Sequence, residues 1–161
     1  GYRVKAVMFG DATPQIVRIF QEINPDLHED IITVPGPSAL LGLWPEVRKG
    51  LMIGLLGDRL MPGERSLRCD FFGEPALFPT TAAYLADILE IPLLQFFCLK
   101  RSWGSYEIIF EPLSFDAGGP RNERELRITN LTEQYALNLE HYARCAPYNW
   151  FNFHDVWDLE P

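Results

Sequence analysis

The first part of the chain alternates short apolar runs with segments of helical periodicity. The apolar runs predict three strands, Val4–Phe9, Ile31–Val34 and Leu51–Gly57. The last run is nearly continuous, which is typical of a strand buried on both faces of a parallel sheet. Helices are predicted at Pro14–Ile23, where Thr13 is the cap, and at Ser38–Lys49. Pro45 within the second helix predicts a kink or a division into two shorter pieces.

The middle of the chain continues this order. The pattern predicts a strand at Leu67–Phe72, a helix at Thr80–Glu90 capped by Thr80 or Thr81, and a second buried strand at Leu93–Leu99. Tyr106–Phe110 is expected to pair antiparallel with that strand across the turn at Ser102–Ser105. The sequence thus predicts the α/β class, with a mixed, mostly parallel sheet flanked by helices.

The last part of the chain no longer alternates between strands and helices. One long helix is predicted over Arg121–Arg144, ended by Pro147 and followed by an aromatic tail that reaches residue 157. The apolar stripe of this helix is expected to contain Leu126, Leu131, Tyr135, Leu139 and Tyr142. No linker divides the chain, so residues 1–161 are interpreted as a single α/β domain in which residues 121–157 form the helix and tail.

Composition and charge narrow the classes of partner. The formal net charge of −8 argues against a nucleic-acid partner, because phosphates require a surplus of Lys and Arg. The longest apolar window, Ile91–Leu99, is interrupted by Gln95 and is too short to span a bilayer. The three cysteines are far apart, which predicts reduced structural thiols in a cytosolic environment. The chain opens at Gly1 without an initiator Met or signal peptide, and we expect further sequence upstream.

Common catalytic templates are not matched. Neither a GxGxxG nor a GxxxxGK[ST] phosphate loop is present, so no nucleotide cofactor is expected. Ser38 lies in a segment that begins like a GxSxG elbow but has Leu40 at the last position, which favours a helix cap. His28, His141 and His154 are too far apart for a local metal motif. His154 could join Asp155 and Asp158 as a ligand, but a packed tail histidine is favoured and no metal is expected.

A charged loop follows the third apolar run. Loops at the carboxyl ends of buried strands bind ligands in open α/β sheets. Three arginines of this loop could contact phosphate groups, namely Arg59, Arg65 and Arg68. Three acids balance them, namely Asp58, Glu64 and Asp70. A solvated, internally paired loop therefore stays open as the alternative.

Four segments carry a family resemblance when taken together. They are Gly57-Asp58-Arg59, the run FFGEPALFPTTAAYLA at 71–86, IPLL at 91–94 and APYNWFNFHDVW at 146–157. In this order and spacing they resemble the bacterial lipid A (lauroyl/myristoyl) acyltransferases. The GDR and WFNF forms are closer to a predicted acyltransferase branch of the lysophospholipid acyltransferase superfamily. The resemblance covers about Lys49 to Trp157 and implies a truncated acyltransferase-like fold, the C-terminal part of the family's domain.

The resemblance implies an activity and a site. The intact protein would transfer a fatty acyl group from acyl carrier protein or acyl-CoA to a hydroxyl of a lipid or glycolipid, at the cytoplasmic face of the bacterial inner membrane. Asp58 and Arg59 would line the acceptor or phosphate site, with Arg65 and Arg68 in the same loop. Thr80 and Thr81 would lie nearby at a helix N-terminus suited to an anion, although Thr81 stands where the family often has Gly.

The aromatic tail has two interpretations. Trp150, Phe151, Phe153 and Trp157 could pack on the sheet as a C-terminal lid, which we favour, or lie at a bilayer interface as peripheral anchors. Some of these rings could pack on the sheet while others lie at the interface.

The family's His-x4-Asp/Glu motif is not found in the chain. Its histidine would act as the general base on the acceptor hydroxyl, which is a poor nucleophile near neutral pH without one. The residues five positions after the three histidines are Thr33, Ala146 and Leu159. The chain alone is therefore expected to be inactive. The alternative is a non-catalytic α/β module that binds a lipid or partner and has lost the motif, and the sequence upstream of Gly1 would discriminate between them.

Overall fold

The computed structural model describes residues 3–10, 18–19, 22–61, 63–152 and 155–158. The chain divides into two compact units, Gly1–Leu56 and Gly57–Pro161. Strands and helices occur in both, so the predicted α/β class is confirmed. The strands are β1 (Arg3–Phe9), β2 (Ile31–Val34), β3 (Leu51–Gly54), β4 (Ser66–Phe71), β5 (Glu74–Pro79), β6 (Leu93–Ser102) and β7 (Ser105–Leu113). The α-helices are α1 (Trp44–Val47), α2 (Thr81–Leu89) and α3 (Arg124–Cys145).

The first unit contains a three-stranded parallel sheet in the order β2-β1-β3. The predicted β1 and β2 are confirmed, and a 3-10 helix at Pro37–Leu43 followed by α1 confirms the division expected from Pro45. The prediction for the third strand is wrong in two respects. It ends at Gly54, and Met52 is exposed, so one face of β3 is not buried. In the predicted helix Pro14–Ile23, residues 14–17, 20 and 21 lie outside the described residues.

The second unit contains two antiparallel hairpins. In the first, β4 pairs with β5 through a two-residue turn in which Phe72 (φ 59°) and Gly73 (φ 85°) both have positive φ. Positive φ at both central positions defines a type I′ turn, whose twist matches that of the strands. The Gly73 N–H donates to Asp70 Oδ1 at 3.1 Å. The prediction at Leu67–Phe72 is confirmed, whereas β5 was not predicted.

The second hairpin joins β6 and β7, which confirms the antiparallel pairing predicted across residues 102–105. Side chains alternate along β6: Gln95 and Phe97 are buried, whereas Leu94 and Phe96 are exposed. The prediction of a strand buried on both faces is wrong here, because only one face of the hairpin packs against the rest of the unit. In the described residues, parallel pairing is confined to the first unit.

Helix α3 covers the inner faces of both hairpins. The main core cluster consists of Cys69, Phe71, Ala76, Phe78, Phe97, Ala136, Leu139 and Val156. Most of the predicted stripe of α3 is confirmed, since Leu131 and Leu139 are buried and Tyr135 and Tyr142 pack against the core. Leu126 is 60% exposed, and its assignment to the stripe is wrong. It precedes the buried Ile128 by two residues and so lies on the opposite side of the helix.

A buried ionic cluster joins α2 to α3. The Asp87 side chain has no exposed surface and accepts hydrogen bonds from the Nε atoms of Arg124 and Arg127, both at 2.6 Å. Arg127 also donates to the carbonyl oxygens of Gly119 and Pro120. The hydrogen bond from Arg127, followed by that from Arg124, lowers the pKa of Asp87 despite burial. The packing of α2 on α3 therefore depends on an ionised carboxylate.

We expect Asp87→Ala to lower the free energy of unfolding by about 3 kcal/mol, because removal of one partner from a buried pair leaves an uncompensated charge. The depressed pKa predicts that the contribution of Asp87 is fully present above about pH 4, the pKa of an unperturbed Asp, and is lost as the pH falls through its folded pKa. Urea unfolding from neutral to acidic pH measures both effects.

Glu22→Ala provides a control, since Glu22 forms an exposed pair with Arg18 and should change stability by less than about 1 kcal/mol. A loss of equal size in both variants would contradict a special role for the buried pair.

Candidate functional site

The predicted ligand loop begins where the backbone contacts an aromatic ring. A Cβ atom at Gly57 would lie 2.6 Å from Cζ of Tyr135, so only glycine fits without displacing that ring. Tyr135 also stacks on Phe97 at 6.2 Å and meets Phe78 edge to face. Burial, followed by the nearby Asp58 carboxylate, raises the pKa of Tyr135, which stays neutral. The position of Gly57, where the loop starts, is thus fixed by the core around Tyr135.

Asp58 and Arg59 have different surroundings. The half-buried Asp58 accepts a hydrogen bond from Nε1 of Trp150 at 3.0 Å, which connects the loop to the C-terminal tail across 92 positions of sequence. Arg59 is exposed and has no ion pair or hydrogen bond with any residue that the structure describes.

The end of the loop is bound to the start of α2. The Thr81 hydroxyl donates to one oxygen of Glu64, and the other oxygen accepts the Met61 N–H at 3.0 Å. The hydroxyl and N–H of Thr80 both donate to the Arg65 carbonyl, at 3.2 and 3.0 Å. Thr80 occupies the N-cap position but forms no side-chain capping bond, so its predicted capping role is wrong. The carboxylate of Glu64 lies where a bound anion was expected.

Arg65 and Arg68 differ from Arg59 in their contacts. Arg65 forms an exposed ion pair with Glu125 at 3.6 Å and lies 5.5 Å above the Tyr84 ring. Arg68 is exposed on the face of β4 opposite to the buried Cys69. The three arginines thus have three separate environments, and among the described residues no ion pair joins any of them to an acid of the same loop.

The tail packs on the first hairpin through its tryptophans. Trp150 meets Phe71 edge to face at 5.2 Å and stacks on Phe72 at 6.3 Å. Trp157 donates from Nε1 to the Phe71 carbonyl at 3.1 Å. Phe151 is 76% exposed, and Phe153 lies outside the described residues. In the tail, therefore, the rings of Trp150 and Trp157 pack on the first hairpin, whereas the ring of Phe151 is exposed.

Glu140 and Arg144, which the sequence did not single out, support the turn at Phe72. Phe72 has a left-handed backbone, and its N–H donates to Glu140 Oε2 at 2.6 Å. Arg144 donates two hydrogen bonds to the other oxygen of Glu140 and lies 4.6 Å above the Phe72 ring. The bond from Phe72, followed by that from Arg144, lowers the pKa of Glu140. The four-residue spacing of Glu140 and Arg144 on a helix was the available signal.

The remaining candidate groups are the cysteines and the histidines. All three cysteines are free, and burial raises the pKa of the Cys69 thiol to about 11. His154 lies outside the described residues, and within those described no three His, Cys, Asp or Glu side chains lie together as metal ligands would. None of the described helices combines the length and apolar character needed to cross a membrane.

The sequence of the chain matches one family model, described as bacterial lipid A biosynthesis acyltransferase, over residues 29–158. This range includes the loop from Gly57, the start of α2 and both tryptophans of the tail. No curated protein matched the chain.

We expect Gly57→Ala to cost about 1–3 kcal/mol of stability, because the added methyl group overpacks against Tyr135. The same shift should weaken the contact between Asp58 and Trp150. Urea unfolding and the emission of Trp150, measured where the other tryptophans are replaced by Phe, report these two effects.

Gly42→Ala is the matched control, since no atom lies within 4 Å of a Cβ there. In the double variant with Tyr135→Ala, the cost of Gly57→Ala should largely disappear. An undiminished cost in that background would contradict the steric explanation.

Proposed function

The chain belongs to the bacterial lipid A biosynthesis acyltransferase family, and from this membership we propose that it takes part in acyl transfer onto a lipid or glycolipid hydroxyl. The donor is a thioester of acyl carrier protein or of coenzyme A. The hydroxyl oxygen attacks the thioester carbonyl, the thiolate leaves, and the proton of the hydroxyl passes through a base to the thiolate. The reaction takes place at the cytoplasmic face of the bacterial inner membrane.

The hydrogen bond from Trp150 to Asp58 is the observation that carries the proposal. It joins the GDR segment to the aromatic tail, and both segments carry the family resemblance. Because Gly57 lies against Tyr135 and Trp150 against Phe71, the core fixes both ends of this contact. Two motifs that are distant in sequence thus form one region of the second unit, as a substrate site requires.

Arg59 is the residue to which we assign recognition of an anionic group of the acceptor. It follows Asp58 directly and is exposed, and it has no partner among the described residues, so its planar set of donors is available. Asp58 is held by Trp150 and accepts only part of the hydrogen bonds that a carboxylate can accept. A second contact, from an acceptor hydroxyl to Asp58, is compatible with this environment.

The proposed site contains four further residues to which we assign different roles, namely Arg65, Arg68, Thr80 and Thr81. Thr80 and Thr81 hold the loop in place through Arg65 and Glu64. An anion from a ligand would compete with Glu64 for the Thr81 hydroxyl. We therefore rank Thr80 and Thr81 as positioning residues, and Arg65 and Arg68 as weaker contacts than Arg59.

Proton transfer is not assigned to any residue of this chain. An acid does not stand five residues after any of the three histidines, and the hydroxyls of Thr80 and Thr81 already have partners. We propose that the chain contributes substrate recognition and that it shows no acyl transfer by itself. The catalytic base would come from outside the present sequence.

We expect Arg59→Ala to lower kcat/KM for the lipid acceptor by roughly 10- to 100-fold, the loss expected for hydrogen bonds to a charged group. The measurement is transfer of a labelled acyl group in the natural protein that contains this chain. Arg121→Ala is the matched control, because Arg121 is an exposed arginine that lies outside the proposed site.

Unchanged kinetics in Arg59→Ala would remove Arg59 from the site. Absence of transfer by every natural form of the protein would instead favour the non-catalytic module.

A further inference from the structure

The outward side of the hairpin β6–β7 is apolar, and its side chains are exposed. We call this surface the outer face, and it consists of Leu94, Phe96, Cys98, Lys100, Tyr106, Ile108, Phe110 and Pro112, paired across the two strands. The rings of Phe96 and Phe110 lie 5.9 Å apart and are 56% and 59% exposed. Contiguous apolar patches of this kind mark binding surfaces more often than scattered exposed residues do.

The charged residues of this hairpin are distributed unequally between its two sides. The only charged residue of the outer face is Lys100, although the chain as a whole has a net charge of −8. The acids of β7 lie on the inner side: Glu107 pairs with Arg101, and Glu111 accepts hydrogen bonds from Gln95 and Tyr142. The outer face can therefore leave water without burying a carboxylate, which would be costly.

The tip of the hairpin has the chemistry of a membrane interface. Trp103 is 96% exposed, and the ammonium group of Lys100 lies 5.5 Å above its ring. Trp places an apolar ring and one donor at the boundary of lipid and water, and Lys extends its charge to the headgroups. The outer face thus ends in an aromatic residue beside a cation.

The tail extends this surface along one side. A depression of about 440 Å³ lies between Cys98, Lys100 and Tyr106 of the hairpin and Tyr148, Asn149 and Phe151 of the tail. Tyr148 and Phe151 are both largely exposed. The exposed rings of Tyr148 and Phe151 therefore belong to the same surface as the outer face.

We infer that the outer face, with Trp103 and Phe151, is the surface by which the protein lies on a bilayer that contains anionic lipids. This inference rests on the proposed function in that the acceptor is a membrane lipid. The peptide groups between the two strands are paired, whereas among the described residues those along the two outer edges of the hairpin have no strand partner. The hairpin therefore lies at the interface, where water reaches its edges and only the side chains of the outer face enter hydrocarbon. A second copy of the chain is a poorer occupant, since it would bury two Lys100 side chains with no acid on either outer face to pair with them.

The test measures binding of the full chain to phosphatidylcholine vesicles with and without phosphatidylglycerol. We expect Phe96→Glu/Phe110→Glu to weaken binding at least tenfold. The matched control is Leu126→Glu/Leu137→Glu, which adds the same charge at exposed apolar positions of α3 and should leave binding unchanged. Circular dichroism melting establishes that each variant is folded.

Two further variants test the details and remain informative if the double variant does not fold. Lys100→Gln should weaken binding only to vesicles with phosphatidylglycerol. Brominated lipids should quench tryptophan emission in the parent protein, and Trp103→Phe should remove most of that quenching.

Equal vesicle binding by the parent and Phe96→Glu/Phe110→Glu, or equal binding to phosphatidylglycerol vesicles by the parent and Lys100→Gln, would overturn the inference. A parent dimer that Phe96→Glu/Phe110→Glu dissociates, without vesicle binding by the parent, would overturn it in favour of a second copy. Acyl transfer to acceptor dispersed in detergent separates the two proposals. When transfer is measured in the natural protein used for the Arg59→Ala test, loss of vesicle binding with retained transfer supports the outer face, whereas normal vesicle binding without transfer supports the face and rejects the proposed function.

Discussion

Phe71 lies where the first hairpin, α3 and the C-terminal tail meet, and no part of it reaches solvent. Its ring contacts Phe78 of the same hairpin and both Trp150 and Trp157 of the tail, and its carbonyl accepts the hydrogen bond from Trp157. Burial of large aromatic side chains dominates the stability of such cores. Since Trp150 is held there by Phe71, its indole N–H reaches Asp58, and the candidate site is a consequence of the core.

Beside this core lie one unfavourable backbone conformation, at Phe72, and one position, Gly57, at which only glycine fits. The left-handed backbone of Phe72 costs of order 1 kcal/mol or more, which the hydrogen bond to Glu140 and the contact with Arg144 offset. Gly57 leaves no room for a side chain because Tyr135 occupies that space. Both positions lie in the segments that carry the family resemblance. Stability and site geometry are therefore determined by the same few contacts.

The apolar pattern predicted most strands, the division at Pro45 and the long helix, because burial of one side of an element leaves a periodic signal. It could not predict β5, because this strand contains Pro75 and Pro79 and proline is disfavoured within strands, although in a two-stranded hairpin it can occupy edge positions. It also could not predict that Arg127 is buried. Its partner Asp87 is 40 positions away, and a charged residue on a helix is normally exposed. For the site, sequence placed Asp58 in the loop, but its contact with Trp150 required the fold.

The alternation of β6 explains why the outer face was not recognised from sequence. Gln95 points inward, where its Nε2 donates to Glu111, while its apolar neighbours Leu94 and Phe96 point outward. A shift of one residue would bury Phe96 but would expose Phe97 and Leu99, which belong to the inner side. The register is thus fixed by the inner residues, and nothing in it requires apolar residues outside. Packing alone does not account for the outer phenylalanines, and this is the physical reason to assign them a partner.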